Sequence, residues 1–422
     1  MDGVAQGWSG GRSETSGVRE RDRPAPDRSE DPYGQPRPGR RPGVRYPGRR
    51  TLGVVAAALV AFAAGVSADA FVLHVGQRGS AARVVIGEQV IRPGPPTSVA
   101  HRTHPPTTGQ PAASLSWGAP VTVDTGFTLQ SVSCPTAGFC AAVDSGGRVV
   151  VYLGGAWSGP VRVDPTAALD SVSCTGPQFC AAVDAAGNAL LYNGSSWSRP
   201  VRVDRTPFAE LTSVSCASSS FCAAVDGDGN ALVFNGSSWS APQQVDLQGW
   251  TPVSRDVATV SCPTPGSCVG VDPEDDAFYY AGGSWQTAVS IAPASSPPVV
   301  KYANAVSCAS STFCAAAQNP GQVVAYNGTQ WSDPVEADPT NYLASLSCPS
   351  PMFCAAVDGL LPQGFNSGSA TGRALLYNGI AWSSPEDIDG DGILQSISCP
   401  SAQFCMAVDQ AGHAVIGTAG GR

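Results

Sequence analysis

From Leu169 to Asp204 the chain breaks into four short stretches of alternating or continuous apolar character, separated by turn residues. Leu169-Asp-Ser-Val-Ser-Cys174 alternates with the period-2 rhythm of a strand that has one buried face. Phe179-Cys-Ala-Ala-Val-Asp184 follows, then Ala-Ala-Gly187, then Asn188-Ala-Leu-Leu-Tyr192. Asn193-Gly194 comes next, a dipeptide whose two positions tolerate positive φ and therefore close tight hairpins. Trp197-Ser-Arg-Pro-Val-Arg-Val203 ends the unit, with a proline that suits an outermost strand, where a missing N–H costs little. The pattern predicts four antiparallel strands, A to D, in one small sheet.

The unit recurs. Ser-Cys, five residues and a second Cys appear at Cys134/Cys140, Cys174/Cys180, Cys216/Cys222, Cys262/Cys268, Cys308/Cys314, Cys348/Cys354 and Cys399/Cys405. Successive copies start 40, 42, 46, 46, 40 and 51 residues apart, the period of a four-stranded propeller blade. The last copy stops after strand C, whereas the first is preceded by a spare strand D, Trp117-Gly-Ala-Pro-Val-Thr-Val-Asp124. Strand-D tryptophans at 117, 157, 197, 239, 285, 331 and 382 are thus offset by one strand from the Cys pairs. A ring needs that offset if its N-terminal strand completes its last blade; a linear solenoid does not. The expectation is an all-β, seven-bladed β-propeller over 114–422, closed by its N-terminal strand. The phrases S-V-S-C, F-C-A-A-V-D and Y-N-G-S-S-W-S resemble the Cys-containing propeller repeats exported by actinobacteria. That resemblance implies an architecture and brings no activity with it.

Upstream the pattern is different. Residues 1–50 are rich in Arg, Pro and Gly without aliphatic clusters, too poor in apolar area to offset the entropy of ordering, and read as a disordered cytoplasmic tail. No charge interrupts Leu52 to Ala68, and apolar residues continue past Asp69 to Val75, so 51–75 reads as one transmembrane helix, a signal anchor. Arg40, Arg41, Arg45, Arg49 and Arg50 crowd its N-terminal side and put the tail in the cytoplasm. The alternative is a secreted protein cleaved near Ala68, after Val66-Ser67-Ala68. Residues 76–113, with prolines among Ser, Thr and Gly, read as a Pro-rich stalk.

Charge narrows the partners. Residues 1–50 hold 11 Arg against 7 acids, while 114–422 holds 9 basic and 24 acidic side chains. A domain that acidic repels phosphate backbones, so nucleic acid is not an expected partner. All fourteen cysteines lie in the repeats, each pair flanking an A–B turn. An exported domain meets oxidants, and the spacing suits seven structural disulfides better than zinc-binding thiolates.

Strands alternate in direction, so A–B and C–D connections share one face and B–C and D–A connections the other. Strand B ends in Asp144, Asp184, Asp226, Asp272, Asp358 and Asp409, with Gln318 in blade 5. Strand D ends in Asp124, Asp164, Asp204, Asp246, Asp338 and Asp389, with Ala292 in blade 4. Each such Asp reads as a cap on its own turn, or as part of a negative rim favouring cationic or metal-bridged ligands. Longer connections at 247–256, 293–300 and 359–372 fall on this face too, a common place for binding loops. Candidate ligand contacts are Trp250 and Arg255 in the first, and the acidic turn Asp272, Glu274, Asp275 and Asp276. Trp250 is either a stacking surface for a sugar or peptide or a cover for a blade edge; the acidic turn is either solvated or chelating. Asp387, Asp389 and Asp391 open a D-x-D-x-D-G string of the Ca²⁺-loop kind, but Ser398 stands where such a loop ends in Glu. No cofactor is expected, with Ca²⁺ at that string as the exception.

Of four histidines only His413 lies in the repeats, which leaves no His-based triad or multi-His metal site. The expectation is an extracytoplasmic binding or sensing module with an extracellular glycan, peptide or protein as ligand. The alternatives are an envelope scaffold, or a glycoside hydrolase-like enzyme working through paired carboxylates.

Overall fold

The computed structural model describes residues 114–206, 209–245, 259–286, 288–291, 303–318, 320–360 and 372–420, all strand and turn. The expected tail, anchor and stalk lie outside the described residues, and so do Trp250, Arg255 and most of the three long connections. Among the described residues no helix is long and apolar enough to cross a membrane.

Seven antiparallel sheets are present, each built in the order A-B-C-D. In blade 2 the strands are Leu169–Gly176, Phe179–Asp184, Asn188–Tyr192 and Val201–Arg202. Strand D is shorter than the apolar pattern suggests. Only a bridge from Trp197 to Tyr192 precedes Val201, because Pro200 has no N–H and Ser198 turns its hydroxyl inward to accept the Leu191 N–H at 3.0 Å. Blade 7 takes its strand D from the N-terminal side: Ser116 and Trp117 pair with Thr418 and Gly417, and Val121 and Thr122 with Ala414 and His413. The one-strand offset in the sequence is this closure.

Trp117 also accounts for a glycine. Blade 2 places Tyr192 beside Trp197 with ring centroids 5.4 Å apart, and the same aromatic pair recurs as Tyr152–Trp157 and Tyr377–Trp382. Blade 7 has Gly417 at the tyrosine position, and a Cβ there would come within 2.7 Å of the Trp117 ring. The closing tryptophan occupies the space that a tyrosine fills elsewhere.

The core lies between blades. One cluster joins Phe353, Ala355, Val357 and Leu376 of blade 6 to Leu394, Ile397, Ala407 and Val415 of blade 7, with Trp117 packed against it. The small residues of strand B, such as Ala181 and Ala182, are fully buried and let neighbouring sheets approach closely.

Strand A is the innermost strand, and its free edge, on the side of the axis, has no sheet partner. Its N–H groups are instead taken up by serine hydroxyls of the preceding blade. Cys174 N–H donates to Ser133 Oγ, Cys216 to Ser173, Cys262 to Ser215, Cys308 to Ser261, Cys348 to Ser307, Cys399 to Ser347 and Cys134 to Ser398, each at 2.9 Å. The serine directly before each strand-A cysteine therefore builds a closed ring of hydrogen bonds around the axis, satisfying backbone donors that would otherwise be buried unpaired.

The same hairpins carry the cysteines. Each strand-A cysteine faces the second residue of strand B across the A–B turn, and every pair stands at disulfide distance. The pairs are Cys134–Cys140, Cys174–Cys180, Cys216–Cys222 and Cys262–Cys268 in blades 1 to 4. Blades 5 to 7 have Cys308–Cys314, Cys348–Cys354 and Cys399–Cys405. These are the seven pairings that the sequence spacing leads one to expect, and among the described residues no cysteine is free for metal binding or nucleophilic chemistry. The strand-B partners Cys140, Cys180, Cys222, Cys268, Cys314, Cys354 and Cys405 are all buried, so the cross-links belong to the interior between blades.

Candidate functional site

In blades 1, 2, 3 and 7 the B–C turn is organised by the aspartate that ends strand B. Asp184 Oδ1 accepts the N–H of Ala186 at 2.9 Å and of Asn188 at 2.7 Å. Asp226 does the same with Asp228 and Asn230, and Asp409 with Ala411 and His413. Such a turn needs positive φ at its fourth residue, supplied by Gly147, Gly187, Gly229 and Gly412 at φ 74–85°. The carbonyl of that glycine then accepts the N–H of the aspartate ending strand D; Gly187 holds Asp204 and Gly412 holds Asp124.

The strand-D acid of one blade meets the strand-B acid of the next: Asp124 with Asp144, Asp164 with Asp184, Asp204 with Asp226, and Asp389 with Asp409. All eight are buried. Two like charges at such a junction favour a shared proton or a nearby cation, and the residue after the glycine differs from junction to junction. Arg148 donates Nε to Asp144 at 2.6 Å and Nη2 to Asp124 at 2.5 Å, with its guanidinium 4.0 Å above the Phe127 ring. Arg373 bridges Asp358 and Asp338 in the same way, at 2.6 and 2.7 Å. Asn188 and Asn230 only donate a side-chain N–H to Asp184 and Asp226, at 2.6 and 2.7 Å. Burial and the neighbouring acid push Asp184 up to about 6 and Asp226 up to about 7, and they push Asp124 up to about 6 even beside Arg148.

The first residue of strand C (Arg148, Asn188, Asn230, Arg373, His413) is thus the determinant that reading the two aspartate rows separately misses. Its signal was present as the repeated string D-x-x-G-X, with X changing from blade to blade. The two exceptional blades are linked as well. Gln318 replaces the strand-B acid of blade 5, and its Nε2 donates to Asp275 Oδ1 of blade 4 at 3.0 Å. Asp275 stands where other turns have glycine, at φ 62°, the one non-glycine with positive φ among the described residues. Asp272 Oδ1 accepts the N–H groups of Glu274 and Asp276, so the acidic turn is built like the others. Asp272, Asp275 and Asp276 are buried and Glu274 is exposed.

At the Ca²⁺-like string, Asp389 occupies the repeated junction position, Asp387 Oδ1 accepts the Gly390 N–H at 2.8 Å, and both Asp387 and Asp391 are exposed. The group of potential metal ligands brought together there is Asp389, Asp409 and His413, whose donor atoms lie within 4.8 Å of one another. Two open grooves lie at the outer rim. One, of about 390 Å³, is lined by Phe313, Tyr326, Trp331 and Pro351; the other, of about 490 Å³, by Arg162, Tyr192, Trp197 and Arg199.

No protein-family model matches the chain, and no curated protein does. Solved structures do. One described as YCF48 bound to D1 peptide has a TM-score of 0.55 at 14% identity, covering 74% of this chain and 99% of its own. Another, described as U3-55K, has a TM-score of 0.55 at 8% identity, covering 71% of this chain and 98% of its own. At these identities the likeness establishes the propeller fold.

Proposed function

We propose that the chain is a membrane-tethered, extracytoplasmic binding or sensing module whose ligand, a glycan, peptide or protein, docks on the B–C/D–A face. The observation that carries this reading is where the repeats stop being uniform. The A–B ends keep the same disulfides and serines from blade to blade, and the C–D turns of blades 1 to 6 are all short, Asn-Gly in blades 2, 3, 5 and 6 and Gly-Gly in blades 1 and 4. The long connections, in contrast, leave from Val245, Ile291 and Leu360, at the ends of strands D, D and B; strand B of blade 6 runs two residues past Asp358. A rigid ring with variable loops on one face is the usual build of a recognition surface.

The acids on that face favour binding over hydrolysis. A glycosidase pair stands about 5–10 Å apart and faces substrate, whereas these carboxylates are buried, in contact, and engaged by their own turns. A propeller of similar fold was solved with a peptide bound, which fits a peptide or protein ligand here. Tethering rests on the apolar stretch within 51–75 and the arginines before it, with the tail at 1–50 inside and the stalk at 76–113 carrying the propeller outward.

The test is capture from arrays of envelope glycans and peptides by the full-length chain in detergent, with Trp250→Ala as the control. A captured ligand whose affinity falls about tenfold or more in the variant, the cost typical of an aromatic anchor, supports the reading. No capture by the folded, oxidised protein moves the assignment to an envelope scaffold.

A further inference from the structure

The junction between blades 6 and 7 departs from its counterparts at two positions at once. At three other junctions the threonine two residues on engages one oxygen of the strand-D acid: Asp164 Oδ1 accepts both N–H and O–H of Thr166, Asp204 those of Thr206, and Asp338 those of Thr340. In blade 6 that position is Asp391, which is exposed and donates nothing to Asp389. Asp389 is 8% exposed, and its buried Oδ2 has no hydrogen-bond partner, as is true also of Asp124, Asp164 and Asp204; what sets Asp389 apart from the last two is that no turn threonine takes up its other oxygen. Across the junction, where blades 1 and 6 have Arg and blades 2 and 3 have Asn, stands His413. Its Nδ1 is 2.8 Å from Asp409 Oδ2, and its side chain is 33% exposed, which opens the junction to solvent.

We propose that Asp389, Asp409 and His413 form a binding site for a single divalent transition-metal ion of the Zn²⁺ type, with water as a further ligand on the exposed side of His413. The donor set is two carboxylates and one imidazole. Zn²⁺ takes such ligands at about 2.0–2.2 Å and needs only four. The donor atoms lie within 4.8 Å of one another, close enough to converge on a single ion. Ca²⁺ is a poorer match, because it takes six to eight oxygen ligands and no imidazole nitrogen.

The position gives the site a consequence. His413 pairs with Thr122 of the closing strand, and the Gly412 carbonyl accepts the N–H groups of Val123 and Asp124. An ion here joins the end of blade 6 to the turn that grips the N-terminal strand, and so fastens the ring where it closes.

His413→Asn is the informative variant, since Asn188 and Asn230 already hold this position against Asp184 and Asp226 and the fold accepts it. Full-length chain without a polyhistidine tag is titrated with Zn²⁺ by calorimetry, with Co²⁺ absorption as a second readout and thermal unfolding as a third. The expected result is one equivalent of Zn²⁺ whose affinity falls at least about tenfold in His413→Asn and in Asp389→Asn, with Zn²⁺ raising Tm of the parent protein only. Equal Zn²⁺ affinity in parent and His413→Asn would overturn the proposal. So would Ca²⁺ binding that displaces Zn²⁺ and is lost in Asp391→Asn, or no Zn²⁺ uptake at large molar excess.

Discussion

Arg148 is held by carboxylates from two blades, and its removal leaves Asp124 and Asp144 buried without their counter-charge. Arg148→Ala is expected to cost about 3 kcal/mol in urea unfolding, within the range for breaking a buried ion pair. Arg148→Asn should cost less, because it converts the junction to the kind found at Asn188. The Asn junctions also make stability depend on pH. Asp184 and Asp226 are pushed above the ordinary carboxylate value, to about 6 and about 7. The folded state therefore keeps protons that the unfolded chain releases. That stabilisation is complete below about pH 4 and is lost as pH rises through about 6–7. Urea midpoints should fall from about pH 5 to about pH 8, by on the order of a kcal/mol per junction; a rise over that interval would contradict the shared-proton description.

Among the elements, strand A carries most of what the repeat pattern left hidden. The blades, the Cys pairs and the offset strand were all legible, because they depend on spacing within one unit of some forty residues. The serine ring was not. In Leu169-Asp-Ser-Val-Ser-Cys174 the serines read as the polar, outward half of a period-2 strand. Their partners lie in the next blade, as with Ser173 and Cys216, 43 residues apart. The junction acids were visible as two rows, yet their pairing across blades and the role of the residue after the glycine are likewise contacts between units. Trp250 and Arg255 stay as named from the sequence, outside the described residues. Ser173→Ala tests the ring: it orphans the Cys216 N–H and should destabilise by about 1–3 kcal/mol, read by chemical denaturation. A substitution at exposed Ser195 should be nearly neutral in the same assay.

For the whole molecule, closure concentrates at blade 7, where Trp117 packs into the space left by Gly417 and the Gly412 carbonyl holds Val123 and Asp124. Gly417→Ala should push the tryptophan out and speed amide exchange in 116–122 while leaving blades 2 and 3 protected; unchanged exchange there would mean the strand is held by other contacts. A ring fastened in this way presents a rigid platform, and its two faces differ in kind. The measurement that most directly tests whether the B–C/D–A face is the one that binds is ligand capture by two sets of loop variants of the full-length chain. In one set, 247–256, 293–300 and 361–371 are each replaced by short Gly-Ser turns; in the other, the Asn193-Gly194 and Asn235-Gly236 turns of the opposite face are recast. The account predicts that capture is lost in at least one member of the first set and kept throughout the second. Capture abolished by the second set and untouched by the first would place recognition on the other face and contradict it.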